Sequence, residues 1–506
     1  MLTVPDLLQY GATLHPARLA VVTSERSLTF AGVDERASRL ASYLRERGVG
    51  PGDRVGLLAM NEAEYLEVLV ACQRLGAISV PLNFRLAVPE LAFICADSDP
   101  QVLVHGPGFA PSAGALGIAQ VIGFGPEYEA ALAATAPVPE RPLIAAAAPS
   151  TILYTSGTTG RPKGAVISNQ ALWARISSNV FEYRISADDV FLQALPLFHI
   201  ASNVTSSYTA VGATNVLVRQ FDPGTVLDLV TRHRVTAALL VPTMINMVVN
   251  HPDVAAADLS SLHTVAYGAS PIPPAVLERA LHRIDAGFVQ LFGMTETSGC
   301  TVLRRSDHDP VRFPQRLAAA GTEAWGYEVR VVDDDDRDVA AGAVGEVICR
   351  GPAMMDGYWN APEATTAALR GGWMHTGDLG YRDGDGYLYV TDRKKDMVVS
   401  GGENVYPREV EDVLFSHPAV LDAAVIGVPD ERWGERVHAV VVRRPGPEFA
   451  SVTDHDVMSF ARERLAGYKL PRSLEWVSEL PRNATGKVLK TELRARHWHG
   501  RERGVS

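Results

Sequence analysis

The sequence predicts an α/β protein: a large N-terminal region of βα units, divided into several subdomains and carrying a β-rich part, followed by a small α+β unit. Three observations carry this. Apolar runs of strand length alternate with stretches of helical spacing as far as Leu291, the pattern of parallel strands covered by helices. From about Arg330 the texture changes to short strands joined by Asp/Gly turns. The remaining residues mix helical and strand patterns within a short length. With 506 residues and 47% hydrophobic content, the chain can fill large cores and implies roughly two to four domains.

In chain order, Arg54–Leu58 is an apolar run, Glu62–Leu75 has helical spacing and Ala77–Pro81 is apolar again. The unit recurs: Pro223–His233 reads as helix, Ala237–Val241 and His263–Tyr267 as strands, Pro274–Arg283 as helix and Phe288–Leu291 as strand. Ala/Pro-rich Ala145–Pro149 is linker-like. VVDDDDRD, ending at Asp338, and RDGDGYLYV, over Arg382–Val390, read as hairpin turns. A calcium loop begun at Asp334 fails, because Val339 falls where Gly is needed and Gly345 where Glu is needed. In the last unit a helix over Arg408–Phe415 precedes strands Ala423–Val428 and Val437–Arg443. Thr453 and Asp456 form a capping box before Val457–Leu465, and a basic helix starts at Lys490.

Composition excludes several classes. Charged residues are 21% of the chain and the formal net charge is -11, so long-range attraction to nucleic acid or anionic lipid is not expected. Cys72, Cys95, Cys300 and Cys349 form no CxxC pair, which fits a reducing compartment and neither a disulfide framework nor a zinc site. The opening MLTVPDLLQYG lacks the basic and apolar regions of a secretory signal, and no apolar run reaches the ~18 residues of a membrane span. The expectation is a cytoplasmic protein without an integral membrane segment.

The strongest local signal is YTSGTTGRPKG, Tyr154–Gly164. A strand-like run feeds a loop of glycines and small hydroxyl residues ending in Lys163. Glycines let backbone N–H groups approach an anion, hydroxyls add donors and the lysine adds a charge. The composition suits a phosphate cradle, but it is not the Walker loop, since Gly164 rather than Ser or Thr follows Lys163. Alone, such a loop also suits a plain flexible turn.

The string resembles the phosphate loop of the adenylate-forming superfamily, which includes acyl-CoA synthetases, nonribosomal adenylation domains and beetle luciferases. Further motifs follow in that superfamily's order over nearly the whole chain: LPLFHI (Leu195–Ile200), YGASPIP (Tyr267–Pro273), QLFGMTET (Gln290–Thr297), HTGDLG (His375–Gly380), DRKKDMVVSGGENVYP (Asp392–Pro407) and PRNATGK (Pro481–Lys487).

The resemblance implies a division into an N-terminal adenylation region, 1–392, a hinge, 393–397, and a mobile C-terminal domain, 398–506. It implies ATP, Mg2+ and coenzyme A as cofactors and a small carboxylic acid as substrate, with no nucleic-acid partner. Thr155, Ser156, Gly157, Thr158, Thr159, Gly160 and Lys163 would hold the β- and γ-phosphates. Glu296 would hold Mg2+, Thr295 would donate to the α-phosphate, and Lys487 would bridge the α-phosphate and the acid. Asp378 and Arg393 would bind the ribose and Phe292 would lie over the adenine. Many relatives have Tyr there; Phe292 keeps the stacking surface and lacks the hydroxyl.

Lys395 would be the hinge, and Ser400, Gly401 and Gly402 would meet the pantetheine arm of CoA. His199 would gate an acyl pocket formed with Ser202, Gly268, Ala269 and Met294. Taken singly these residues have blander readings: an Asp in a GD turn is a turn former, and Glu296 read as opening a helix offsets the helix dipole. Their shared order favours an acid–CoA ligase working through an acyl-adenylate, of fatty-acyl type with aryl-acid ligases next. An enzyme that hands the acyl group to a carrier protein or an amine is the competing reading, and a non-catalytic nucleotide-binding protein a distant one. The sequence leaves a homodimer open.

Overall fold

The computed structural model describes residues 2–138, 143–155, 162–270, 272–392, 396–400, 403–430, 433–482 and 488–498, and the backbone of 393. Two large sheets dominate the N-terminal region. One has seven strands, in spatial order Gly357–Tyr358, Lys163–Ser168, Pro149–Thr155, Ile78–Pro81, Arg54–Leu58, Val102–His105 and Val121–Gly123. The last five run parallel, while Lys163–Ser168 returns antiparallel from Pro149–Thr155 and Gly357–Tyr358 pairs antiparallel to it. The second sheet has nine strands. Its parallel centre comprises Gly287–Met294, Thr264–Gly268, Ala237–Leu240, Val190–Gln193, Thr214–Leu217 and Leu19–Val22.

A core runs between the sheets, built around helices Phe30–Glu46 and Glu64–Leu75. Helix Glu64–Leu75 starts two residues later than its spacing suggested, and Gly76 closes it in the left-handed conformation glycine favours (φ 66). Its Glu67 is fully buried, and that charge is tolerable only because it is paired: Arg36 Nε reaches Oε1 at 2.6 Å and Tyr128 donates to Oε2 at 2.7 Å.

The β-rich part is a four-stranded antiparallel sheet, Glu328–Val332, Gly345–Arg350, Met374–Arg382 and Leu388–Arg393. Both acidic turns are turns: the N–H groups of Asp335 and Arg337 donate to Asp333 Oδ1 at 2.9 Å, and Arg382 pairs with Leu388 across the second hairpin. The linker-like Ala145–Pro149 differs from its reading. Ile144–Ala145 pairs with Thr3–Val4, and Pro149 begins a sheet strand. Small residues there allow close packing rather than slack.

The C-terminal unit builds its own core. A long hairpin, Val420–Asp430 with Gly434–Arg443, is flanked by Val398–Ser400 and by the parallel strand Ser473–Val477. Helices Pro407–Phe415, Asp454–Arg462 and Lys490–Ala495 accompany it, and Thr453 and Asp456 form the predicted capping box. All four cysteines are free and buried. Among the described residues no helix is long and apolar enough to cross a membrane.

Candidate active site

A cleft of about 620 Å3 lies between the N-terminal sheets and the C-terminal unit. Ala269, Ser270, Phe292, Gly293 and Asp378 line one side; Arg408, Asp422, Arg482, Val488 and Lys490 line the other. The local sequence explains this placement. Strand Thr264–Gly268 runs parallel to Gly287–Met294 with Gly268 opposite Leu291, and a Cβ at Gly268 would sit 2.5 Å from the Leu291 carbonyl oxygen. Only glycine lets the two strand ends approach so closely. The chain then turns outward through Ala269, held at φ 67, a left-handed conformation uncommon for a residue with a side chain. Tyr267, by contrast, is fully buried and bonds His308 Nε2 at 2.9 Å, so the motif reaches the cleft through Ala269 and Ser270.

Phe292 comes from the same central strand, and Asp378 from Met374–Arg382, where it faces Arg393 in the antiparallel register. Asp378 is 7% exposed, and its N–H donates to Thr376 Oγ1 at 3.0 Å. The structure thus brings the adenine and ribose candidates Phe292 and Asp378 to one cavity with Ala269.

Thr295 and Glu296 do not open a helix. They form the tip of a hairpin between Gly287–Met294 and Ser298–Leu303. The reversal is possible because Gly293 lacks a Cβ, which would lie 1.7 Å from the Ser298 carbonyl oxygen, and because Ser298 adopts φ 61. The tip is pinned from behind. Fully buried Arg175 donates from Nη2 to the Thr295 carbonyl at 3.0 Å and from Nε to Ala353 at 2.9 Å. Met355 N–H donates to the Glu296 carbonyl at 2.7 Å, and Tyr327 donates its hydroxyl to Thr297. Burial lowers Arg175 to about 10, partly offset by Tyr327, Glu296 and Asp356.

Glu296 is 4% exposed, and Tyr358 donates to its Oε1 at 2.7 Å. The same tyrosine ring lies 5.3 Å from Lys163 Nζ. Lys163 begins the strand that returns from the loop, opposite Thr155. Lys163, Tyr358 and Glu296 therefore form one line, lysine to ring to carboxylate. Motif reading overlooked Tyr358 and Arg175. Tyr358 arrives only through the pairing of Gly357–Tyr358 with Lys163–Ser168, and Arg175 sits within a helix of ordinary pattern.

Other candidates lie elsewhere. His199 is half-buried against Phe198, ring centroids 4.4 Å apart, and burial together with Arg85 lowers it to about 4, so it is neutral at pH 7. Ser202 donates to the His199 carbonyl at 2.8 Å and lines a small internal cavity with Tyr65 and Leu197. Met294 packs against the inter-sheet core. Ser400 ends a strand and pairs with Glu403 and Gly434. Ser156, Gly157, Thr158, Thr159, Gly160, Lys395, Gly401, Gly402, Lys487 and the Arg393 side chain lie outside the described residues.

The geometry agrees with comparison to known proteins. Residues 8–359 match the AMP-binding enzyme family, and residues 409–487 its C-terminal domain. A feruloyl-CoA synthase from an Amycolatopsis species is 42% identical over 488 residues, covering 96% of this chain and 97% of that protein. An indoleacetate–CoA ligase from Aromatoleum aromaticum is 39% identical over 496 residues, 96% of each chain. Among solved structures, the amide bond synthetase McbA from Marinactinospora thermotolerans superposes with a TM-score of 0.88 at 32% identity, over 97% of this chain and 100% of that one. With the motifs in order, both regions matched and full-length relatives of one architecture, the chain belongs to the AMP-binding enzyme family.

Proposed function

We propose that this protein is an ATP-dependent carboxylic acid–CoA ligase that acts through an acyl-adenylate, with an aryl or arylalkanoic acid as the substrate class. The observation that carries the reading is the cleft itself: Phe292, Ala269 and Asp378 face Arg482 and Val488, the residues on either side of the segment containing Lys487. The aryl preference is supported by the two CoA-ligase relatives above, whose names specify feruloyl and indoleacetate substrates. It shifts the weight from fatty acids, the first expectation from the motifs.

In the first step the substrate carboxylate oxygen attacks the α-phosphorus of ATP. A carbon–oxygen–phosphorus anhydride forms and pyrophosphate leaves with the electron pair. Two anions meet in this step, so charge neutralisation dominates the barrier. Lys163 and the loop before it serve the leaving phosphates, and Lys487 serves the developing charge between acid and α-phosphate. Glu296 suits a hard divalent cation: Tyr358 occupies Oε1, and Oε2 offers the oxygen ligand that Mg2+ takes beside phosphate oxygens. Mg2+ bound there supplies charge compensation to the phosphates. In the second step the CoA thiolate attacks the acyl carbon and expels AMP. The division into 1–392, a hinge at 393–397 and 398–506 belongs to this proposal, as does a cytoplasmic location.

The test is a mass-spectrometric screen of aryl, arylalkanoic and fatty acids with ATP and Mg2+, with and without CoA. An acyl-CoA formed only with CoA, and best from aryl acids, is the expected result. Adenylate and pyrophosphate without thioester would move the acceptor to an amine or a carrier protein, a reading favoured by the likeness to an amide bond synthetase.

A further inference from the structure

Outside the cleft, three ligand-type side chains of the C-terminal unit converge. Strands Gly434–Arg443 and Ser473–Val477 pair in parallel with His438 opposite Ser473, and the alternation of side chains along a strand puts Glu475 on the same face as Ser473. The turn after helix Lys490–Ala495 brings His497 to that face, its ring centroid 4.8 Å from that of His438. One ligand atom from each of His438, Glu475 and His497 lies within 4.8 Å of the others, and none of the three residues lines the cleft.

His438 is 5% exposed, and its two ring nitrogens differ. Nδ1 bonds Ser473 Oγ at 2.7 Å, which sets the ring orientation. Nε2 is buried with no hydrogen-bond partner among the described residues and points towards Glu475 Oε2 at 3.7 Å, too far for a hydrogen bond. Buried ring nitrogens are normally satisfied, so an orphan one directed at a carboxylate and a second imidazole calls for a missing partner. A metal ion beside Nε2 would supply that partner, with ligand atoms of Glu475 and His497 within 4.8 Å. The neutral ring is the form that binds metal.

We propose that His438, Glu475 and His497 form a divalent transition-metal site of the zinc class, which ties the sheet of the C-terminal unit to the segment after its last helix. Two imidazoles and a carboxylate suit Zn2+ or its neighbours, whereas Mg2+ prefers oxygen ligands throughout. Bonds of about 2.1 Å in a tetrahedral set place ligands roughly 3.4 Å apart. His438 Nε2 and Glu475 Oε2, 3.7 Å apart, already stand near that spacing, and the whole set, within 4.8 Å, closes to it by side-chain movement of His497 together with Glu475, which is 42% exposed. Ser473 takes the place of the outer hydrogen-bond partner that fixes a metal-bound histidine. Three protein ligands leave a fourth position for water. The site is independent of the acid or acceptor the enzyme uses.

The full chain, stripped of metal with a chelator, is titrated with Zn2+ by equilibrium dialysis and with Co2+ by visible absorption. One Zn2+ per chain, visible Co2+ bands and a Tm raised by Zn2+ are expected. E475Q and H438Q should each weaken Zn2+ binding at least ~10-fold, as should S473A, within the ~10–100-fold typical of outer-shell partners. Absence of stoichiometric Zn2+ binding, or wild-type affinity in E475Q or H438Q, overturns the site. Circular dichroism checks each variant; if H438Q does not fold, the half-exposed position of Glu475 lets E475Q decide alone.

Discussion

Tyr358 stands in the middle of the line from Lys163 to Glu296, with its hydroxyl on Glu296 and its ring against Lys163. Tyr358→Phe separates these contacts, since the ring stays and only the hydrogen bond is lost. The apparent Mg2+ requirement of pyrophosphate release should rise about ten-fold, with less than about 1.5 kcal/mol of stability lost; Mg2+ titration and urea unfolding read the two effects. Glu62 offers a second residue-scale test. It is 8% exposed, neither carboxylate oxygen accepts a hydrogen bond among the described residues, and burial raises it to about 7 although Arg219 forms an ion pair with it at 3.5 Å. Because the folded value exceeds the unfolded one, this carboxyl favours the fold while protonated. Its contribution is complete below about 4.5 and is lost as pH rises through about 7, up to about 3 kcal/mol. Glu62→Gln should therefore raise stability at pH 8, leave it little changed at pH 4 and flatten the profile between, as urea unfolding across pH would record.

At the scale of elements, the hairpin carrying Thr295 and Glu296 depends on the missing side chain at Gly293. Gly293→Ala drives a methyl into the Ser298 carbonyl, and the loss should reach at least about 2 kcal/mol. Adenylation should fall with it, because the same reversal aims Glu296; pyrophosphate release and denaturant unfolding should decline together. This hairpin also marks where sequence reading succeeds and fails. The alternation of strands and helices was legible, as was the place of Phe292 and Asp378 at one cleft, because each stands in a motif. Glu296 taken alone had the blander reading of a helix start, since charge near a helix N-terminus is a local pattern and a backbone clash between Gly293 and Ser298 is not. Arg175 and Tyr358 were invisible for a related reason: the partners that give them meaning are distant in sequence and meet only in the fold.

For the whole molecule, the C-terminal unit is docked over the cleft by contacts at its first helix. Arg408 donates from its backbone N–H to Asp392 Oδ2 at 3.1 Å and from Nη1 to the Val390 carbonyl at 2.9 Å. If the unit swings about Lys395 between half-reactions, two variants should separate those reactions. Lys487→Ala should lower adenylation ~10²–10³-fold and spare thioester formation from supplied acyl-adenylate. Lys395→Pro, which fixes φ at the hinge, should do the reverse. Equal losses in both half-reactions for Lys487→Ala would exclude alternation, and normal thioester formation by Lys395→Pro would place the pivot elsewhere.

The four sulfhydryls lie in the interior, and burial alone raises Cys72 to about 12 and Cys95 to about 11. The native surface is therefore silent towards maleimide dyes, which react with accessible thiolates. Two cysteines introduced on the outer faces of the N-terminal sheets and the C-terminal unit could carry a donor–acceptor pair without first removing the natural ones, and single-molecule fluorescence would then show whether the two move apart in each turnover.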